Sequence, residues 1–155
     1  MYKHSDTSDE HITLHDCRAN KAAYKDGVLS FWYEDGFWVC PGHDKNDCGK
    51  TVRTDASKVK FHLANEGTED VRIYIFTKKK RKTIRKEWTL KKFVKAINAG
   101  DFTVEFLYCY KGYNIQVHDC WIWFDKAPYN KECELRIYTD EVTYLWNELR
   151  EDRAW

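Results

Sequence analysis

The chain is predicted to fold as an α+β domain that is mostly antiparallel β, with about seven or eight strands and two short helices near 90–99 and 141–150. Three observations predict this. Apolar and polar residues alternate with period two in successive runs, as in Val59-Lys-Phe-His-Leu63 and Val71-Arg-Ile-Tyr-Ile75. Turn formers punctuate those runs at Lys25-Asp26-Gly27, Asp35-Gly36, Gly112 and Pro128. Two segments, and no others, carry apolar residues at helical spacing.

Residues 1–10 are polar and read as a flexible N-terminus, leaving 11–155 as a single compact β-rich domain. Ile12-Thr-Leu-His-Asp-Cys17 alternates, and the turn at 25–27 leads into the long run Val28–Val39. The runs 59–63 and 71–76 follow, then a charged connection or exposed strand extension, Lys78–Trp88. Thr89 is placed to cap a helix whose face is Leu90, Phe93, Val94 and Ile97, and Gly100 stops it. Thr103–Tyr110, Asn114–Phe124 and Glu132–Tyr138 are three more strands. Val142, Leu145, Trp146 and Leu149 fall on one side of a second helix. The tripeptide His15-Asp-Cys17 recurs as His118-Asp-Cys120, a coincidence or the trace of a duplicated β-unit.

Length and composition bound what this fold can be. One domain of 155 residues buries roughly two-thirds of its unfolded surface. Aromatic residues make up 16% of the chain, yet a third of it is charged and the mean hydropathy is −0.76. An aromatic core inside a charged exterior satisfies both. No apolar run reaches the roughly 18 residues of a membrane helix, and the start lacks an apolar signal core, so a cytoplasmic protein is expected. Six cysteines in such a compartment are expected as thiols, some of them metal-bound.

The stretch Cys40-Pro-Gly-His43-Asp-Lys-Asn-Asp-Cys48 concentrates soft ligands in a polar loop. Thiolates and a neutral imidazole suit Zn²⁺, which takes four ligands at about 2.0–2.3 Å. Cys40, His43 and Cys48 supply three. A hairpin closed at 25–27 keeps a constant index sum of 53, setting Leu14 against Val39 and Cys40 against Thr13. His11 then lies nearest the loop and is the expected fourth ligand, with His62 as its rival. Four protein ligands leave no open position for water, so such a zinc would be structural.

Charge is the second signal. Lys78–Lys95 hold ten basic residues and one acidic one, leaving 16 basic against 24 acidic groups elsewhere, a net of −8. Lys78, Lys79, Lys80, Arg81, Lys82, Arg85 and Lys86 form a candidate contact for phosphates or for an acidic protein, with Trp88 available to stack on a base. The same lysines would also guard an edge strand against pairing. In Cys120-Trp-Ile-Trp-Phe124 both strand faces are large and apolar, as a doubly packed strand or an exposed protein-binding patch requires. Cys–His pairs at 15/17 and 118/120 offer nucleophiles in principle, although no oxyanion hole or activated thiolate is recognisable beside them. No Gly-rich phosphate loop or Ser-elbow is present.

A small domain with lopsided charge, many aromatics and this Cys/His loop, read on Cys40, His43, Cys48 and the strand 29–39, resembles phage- or prophage-encoded inhibitors. Among those it is similar in kind to the zinc-containing anti-CRISPR proteins directed at type II Cas9 nucleases. The resemblance implies a non-enzymatic inhibitor that binds the Cas protein and blocks DNA loading or cleavage, with zinc stiffening the loop. The basic segment would meet guide RNA or an acidic patch, or Glu141, Glu148, Glu151 and Asp152 would imitate phosphates. The alternatives are a metal- or cysteine-dependent enzyme acting on nucleic acid or peptide, and an immunity-type protein that neutralises a toxin.

Overall fold

The alternation read along the chain becomes a ladder of strands in the computed structural model, which describes residues 1–154. Among them are fourteen strands and one α-helix. In chain order these are β1 (His4–Asp6), β2 (Ile12–Thr13), β3 (Cys17–Ala19), β4 (Lys21–Lys25), β5 (Val28–Tyr33), β6 (Trp38–Val39), β7 (Val52–Thr54), β8 (Ser57–Leu63), β9 (Val71–Lys79), β10 (Lys82–Trp88), α1 (Leu90–Asn98), β11 (Thr103–Lys111), β12 (Ile115–Trp123), β13 (Asn130–Trp146) and β14 (Leu149–Ala154). Every pairing is antiparallel.

The main sheet runs β3-β11-β12-β13-β8-β5-β4. Its two end strands are one length of chain, divided only at Asn20, whose N–H donates to the Trp32 carbonyl at 3.1 Å. The sheet therefore curls until its ends meet, which leaves few free edges. Inward-facing side chains fill the interior. Phe31 packs edge-on against Phe106, Phe61 and Phe93 at 5.3, 6.1 and 6.4 Å between ring centres, the tilted geometry aromatic quadrupoles favour.

β13 organises the sheet. Its first half lies between β12 and β9, and its second half between β8 and β1. The register shifts between Thr139 and Glu141, where the buried Thr139 hydroxyl donates to the His62 carbonyl at 2.8 Å. A four-stranded sheet, β14-β7-β6-β2, stands beside it.

Helix α1 is the one expected over 90–99. Thr89 caps it by accepting the Lys92 N–H, and Leu90, Phe93 and Ile97 are its buried face. The second expected helix, 141–150, is a correction: those residues are the end of β13 and the start of β14. Val142, Tyr144 and Trp146 are buried and alternate with half-buried Thr143 and Leu145, a period of two. The segment satisfies both periods on paper, and pairing with β8 decides between them. The strand count of seven or eight is also low, because β1, β2, β3, β6 and β7 span only two or three residues each. The first ten residues, expected to be loose, contain β1, paired to β13 through His4↔Trp146 and Asp6↔Tyr144.

Candidate functional site

The Cys/His loop joins β6 to β7 and is closed by side chains the sequence did not advertise. Asn46 is 7% exposed, and its amide nitrogen donates to the carbonyls of Val39 and Lys50 at 2.9 and 2.8 Å, tying both ends of the loop together. Its oxygen accepts from the Cys48 N–H and thiol at 3.3 and 3.1 Å. Gly42 has φ +97°, and a Cβ there would lie 2.9 Å from the His11 ring, so only glycine lets His11 lie on the loop.

His11 does meet the loop, by a register two residues away from the expected one. The hairpin β4–β5 keeps the sum of 53, as in Lys25↔Val28 and Lys21↔Trp32. β2–β6 pairs Ile12 with Val39, a sum of 51. Between the two ladders one side steps nine residues, Lys21 back to Ile12, and the other only seven, Trp32 to Val39. The N-terminal side holds the turn Leu14–Cys17, with Asp16 at φ 56°. An even slip keeps each side chain on its face, and it brings the His11 carbonyl to the Cys40 N–H at 2.7 Å.

The four expected ligands, Cys40, His43, Cys48 and His11, are not gathered as a set. Among the described residues the only group whose ligand atoms converge within 4.8 Å is Asp6, His43 and Asp44. As they stand, the sulfur-rich four do not fit a tetrahedral zinc. His62, the rival, is engaged on β8 with the Thr143 hydroxyl at 2.8 Å.

His43 is buried, with its ring edge-on to Trp146 at 5.6 Å. Its Nε2 lies 2.9 Å from Asp6 Oδ2 on β1. Its Nδ1 faces both a donor and an acceptor, the Lys45 N–H and Asp44 Oδ1, each at 3.1 Å. The ring is therefore served in either tautomer. With the proton on Nε2 it pins β1 to the loop through Asp6. With the proton on Nδ1, directed at Asp44, Nε2 is free to ligate an ion beside Asp6, the carboxylate–imidazole arrangement metal-binding histidines use. This is an N/O donor set, harder than the thiolate set read from the sequence. Asp6 could not be found by spacing, since it is far from the loop in the chain and arrives through β1.

The basic segment forms the β9–β10 hairpin. Lys78, Lys79, Lys80, Arg81, Lys82, Arg85 and Lys86 are all exposed, and β10 pairs only with β9. Among these seven, ion pairing is confined to Lys78, which meets Glu132 at 2.7 Å, and Arg85 lies over the Tyr74 ring at 4.6 Å. Trp88 at the hairpin's base is covered by the Lys92 ammonium, 3.9 Å from the ring centre, so it is not an open stacking platform.

The four thiols of the main sheet, Cys17, Cys109, Cys120 and Cys133, are poor nucleophiles. Burial pushes Cys17 up to about 11, and Cys120 and Cys133 lie further above the ordinary range for the same reason. Cys109 faces the His118 Nε2 at 3.9 Å, the nearest approach to a Cys–His pair. Burial raises that thiol to about 11 and lowers the imidazole to about 4, so both are neutral at pH 7, the reverse of an activated thiolate–imidazolium pair.

Comparison with protein-family profiles, with characterised proteins and with solved structures finds no match to this chain. No helix among the described residues is long and apolar enough to cross a membrane.

Proposed function

We propose that the protein is a non-enzymatic binding protein that inhibits a nucleic-acid-handling partner, such as the Cas9 nuclease targeted by the anti-CRISPR proteins it resembles. The observation that carries this reading is the β9–β10 hairpin, a projecting ribbon whose seven cations are exposed and, Lys78 apart, form no ion pair among the described residues. Lysines along β10 also discourage edge-to-edge pairing. Lys80 and Arg81 sit in the turn beyond that edge, where there is no strand to guard. Cations left unpaired on a ribbon are attracted to phosphates or to an acidic protein surface, and that attraction weakens steeply with salt. The acidic remainder of the chain opposes wrapping by nucleic acid and confines contact to the hairpin.

The test is a variant with Lys78–Lys82, Arg85 and Lys86 all changed to Ser or Gln, assayed for capture of Cas9 and for inhibition of DNA cleavage. The expected result is at least a tenfold loss of binding and a flattened salt dependence with an unchanged melting temperature, since exposed positions of this kind shift stability by about 0.5 kcal/mol or less. Undiminished inhibition by a folded variant would remove the hairpin from the interface.

A zinc ion belongs to this reading at His43, with Asp6 as the second ligand and Asp44 orienting the ring. Two protein ligands leave its remaining positions to water, so this is not the closed, all-protein structural site expected from the sequence. Protein purified without added metal is expected to carry about one zinc per chain, lost in His43→Gln and in Asp6→Asn. Zinc retained by His43→Gln, or absent from the wild type, would overturn this assignment.

A further inference from the structure

The outward face of β11, β12, β13 and β9 carries a row of side chains that the basic hairpin covers only at its Tyr74 end, where Arg85 lies over the ring. The registers Tyr108↔Asp119, Asp119↔Glu134 and Glu134↔Tyr74 set an aromatic, two carboxylates and a second aromatic side by side across four strands. Like charges directly opposite each other destabilise a sheet, so the central pair is costly where it stands. Burial, then Glu134 and Glu132, raise the Asp119 carboxyl above its ordinary value.

One end of the row shows how the charge is met. The Arg136 guanidinium pairs with Glu134 at 2.5 Å and lies 5.3 Å from the Tyr74 ring centre, stacked and ion-paired at once. The other end has the same components, Tyr108 and Asp119, and among the described residues no cation meets Asp119. Tyr108 is 58% exposed. Beside it opens a groove of about 330 Å³, lined by Phe76, Leu107, Trp121 and Glu132 as well as by the Tyr108 and Asp119 side chains. Glu132 is already paired with Lys78, which leaves Asp119 as the uncompensated charge.

We propose that this face docks an extended segment of a partner protein and takes one of its arginine side chains against Tyr108 and Asp119, in the way Arg136 is held at the opposite end of the row. A guanidinium suits the position because it stacks flat on an aromatic ring while donating to a carboxylate. A phosphate-bearing ligand is repelled by the three carboxylates, so the face and the basic hairpin select different chemistry. The inference goes beyond the proposed function and does not depend on it.

The experiment is a titration followed by backbone and indole NMR, with a short peptide bearing one arginine between glycines and serines, and its citrulline counterpart. Saturable shifts centred on Trp121 and Tyr108 are expected with arginine, at least tenfold weaker with citrulline and with Asp119→Asn. A lysine peptide should bind several-fold more weakly than arginine. Equal response to arginine and citrulline, no response to either, or unchanged binding in a folded Asp119→Asn variant would each overturn the proposal. So would concentration-dependent self-association that Asp119→Asn abolishes, since the occupant would then be a second copy of the chain.

Discussion

Replacing Phe31 with alanine is expected to lower the unfolding free energy by about 3–5 kcal/mol, the largest single effect in the chain. Phe31 is fully buried on β5 and touches rings from three other elements, Phe61 on β8, Phe106 on β11 and Phe93 on α1. It is thus the point where the two sides of the curled sheet and the helix meet. Deleting its ring removes apolar transfer energy, the edge-on aromatic contacts and the packing of a site that cannot collapse, because strands constrain it on each side. Urea denaturation monitored by far-UV circular dichroism measures the loss, and the melting temperature should fall by roughly 10 °C. Tyr110→Ala serves as the control, since Tyr110 is 59% exposed on the same sheet and its loss should change stability by about 0.5 kcal/mol or less. A penalty for Phe31→Ala as small as that of the control would contradict the closed interior.

The parts of this fold legible in the sequence are those long enough to show a period. β8 alternates over its seven residues and β9 from Val71 to Phe76, and α1 repeats its apolar face through two turns with Thr89 at its cap. The turn at 25–27 sets the register of β4–β5 correctly because a tight hairpin leaves the pairing no freedom. Beyond that hairpin the constraint lapses. Connecting segments of unequal length, nine residues against seven, shift β2–β6 by two, and no local rule foretells how much chain each side takes up. Strands of two or three residues carry no period at all. Residues 141–150 failed for the opposite reason, since Val142, Tyr144, Trp146 and Leu149 fit a helix face and a strand face almost equally until tertiary pairing chooses.

The site was legible only in outline. His43 was read as a zinc ligand in a polar loop, not as the buried imidazole it is, but as a histidine among turn formers it did stand out. Its partners did not, since Asp6 arrives through the pairing of β1 with β13 and Asn46 resembles any loop asparagine until its three hydrogen-bond directions are seen. Proximity in sequence and in space differ here: Cys40 and Cys48 flank His43 in the chain, whereas the Asp6 and Asp44 carboxylates flank its ring in the fold. The exposed charge of Lys78–Lys86 was visible, because solvated charge depends on composition more than on fold, but the hairpin that carries it was read only as a charged connection or strand extension.

The second large effect is a pH dependence that isolates one buried group. His118 lies inside the curled sheet, edge-on to Phe106 and Phe61 at 5.3 and 5.6 Å, with Nε2 directed to the Gln116 side-chain oxygen at 3.1 Å. Burial, with a smaller contribution from the Lys111 ammonium, lowers it from 6.5 to about 4. Lys111 itself is ion-paired with Asp9, and the Cys109 thiol facing the ring is neutral. Above pH 6.5 the imidazole is neutral folded and unfolded, so it contributes no slope. Between 6.5 and 4 the unfolded chain takes up a proton that the folded chain refuses, and stability falls as the pH falls. From pH 7.5 to 4.5 this one group should remove about 2–3 kcal/mol. Carboxylates titrate over part of that range, so the measurement is a difference: urea unfolding of the wild type and of His118→Phe at both pH values. The variant's packing cost applies equally at each pH and cancels. The wild type should lose about 2–3 kcal/mol more than the variant on acidification. Parallel losses would mean that the imidazole accepts its proton inside the fold, and that water reaches the interior next to Phe106.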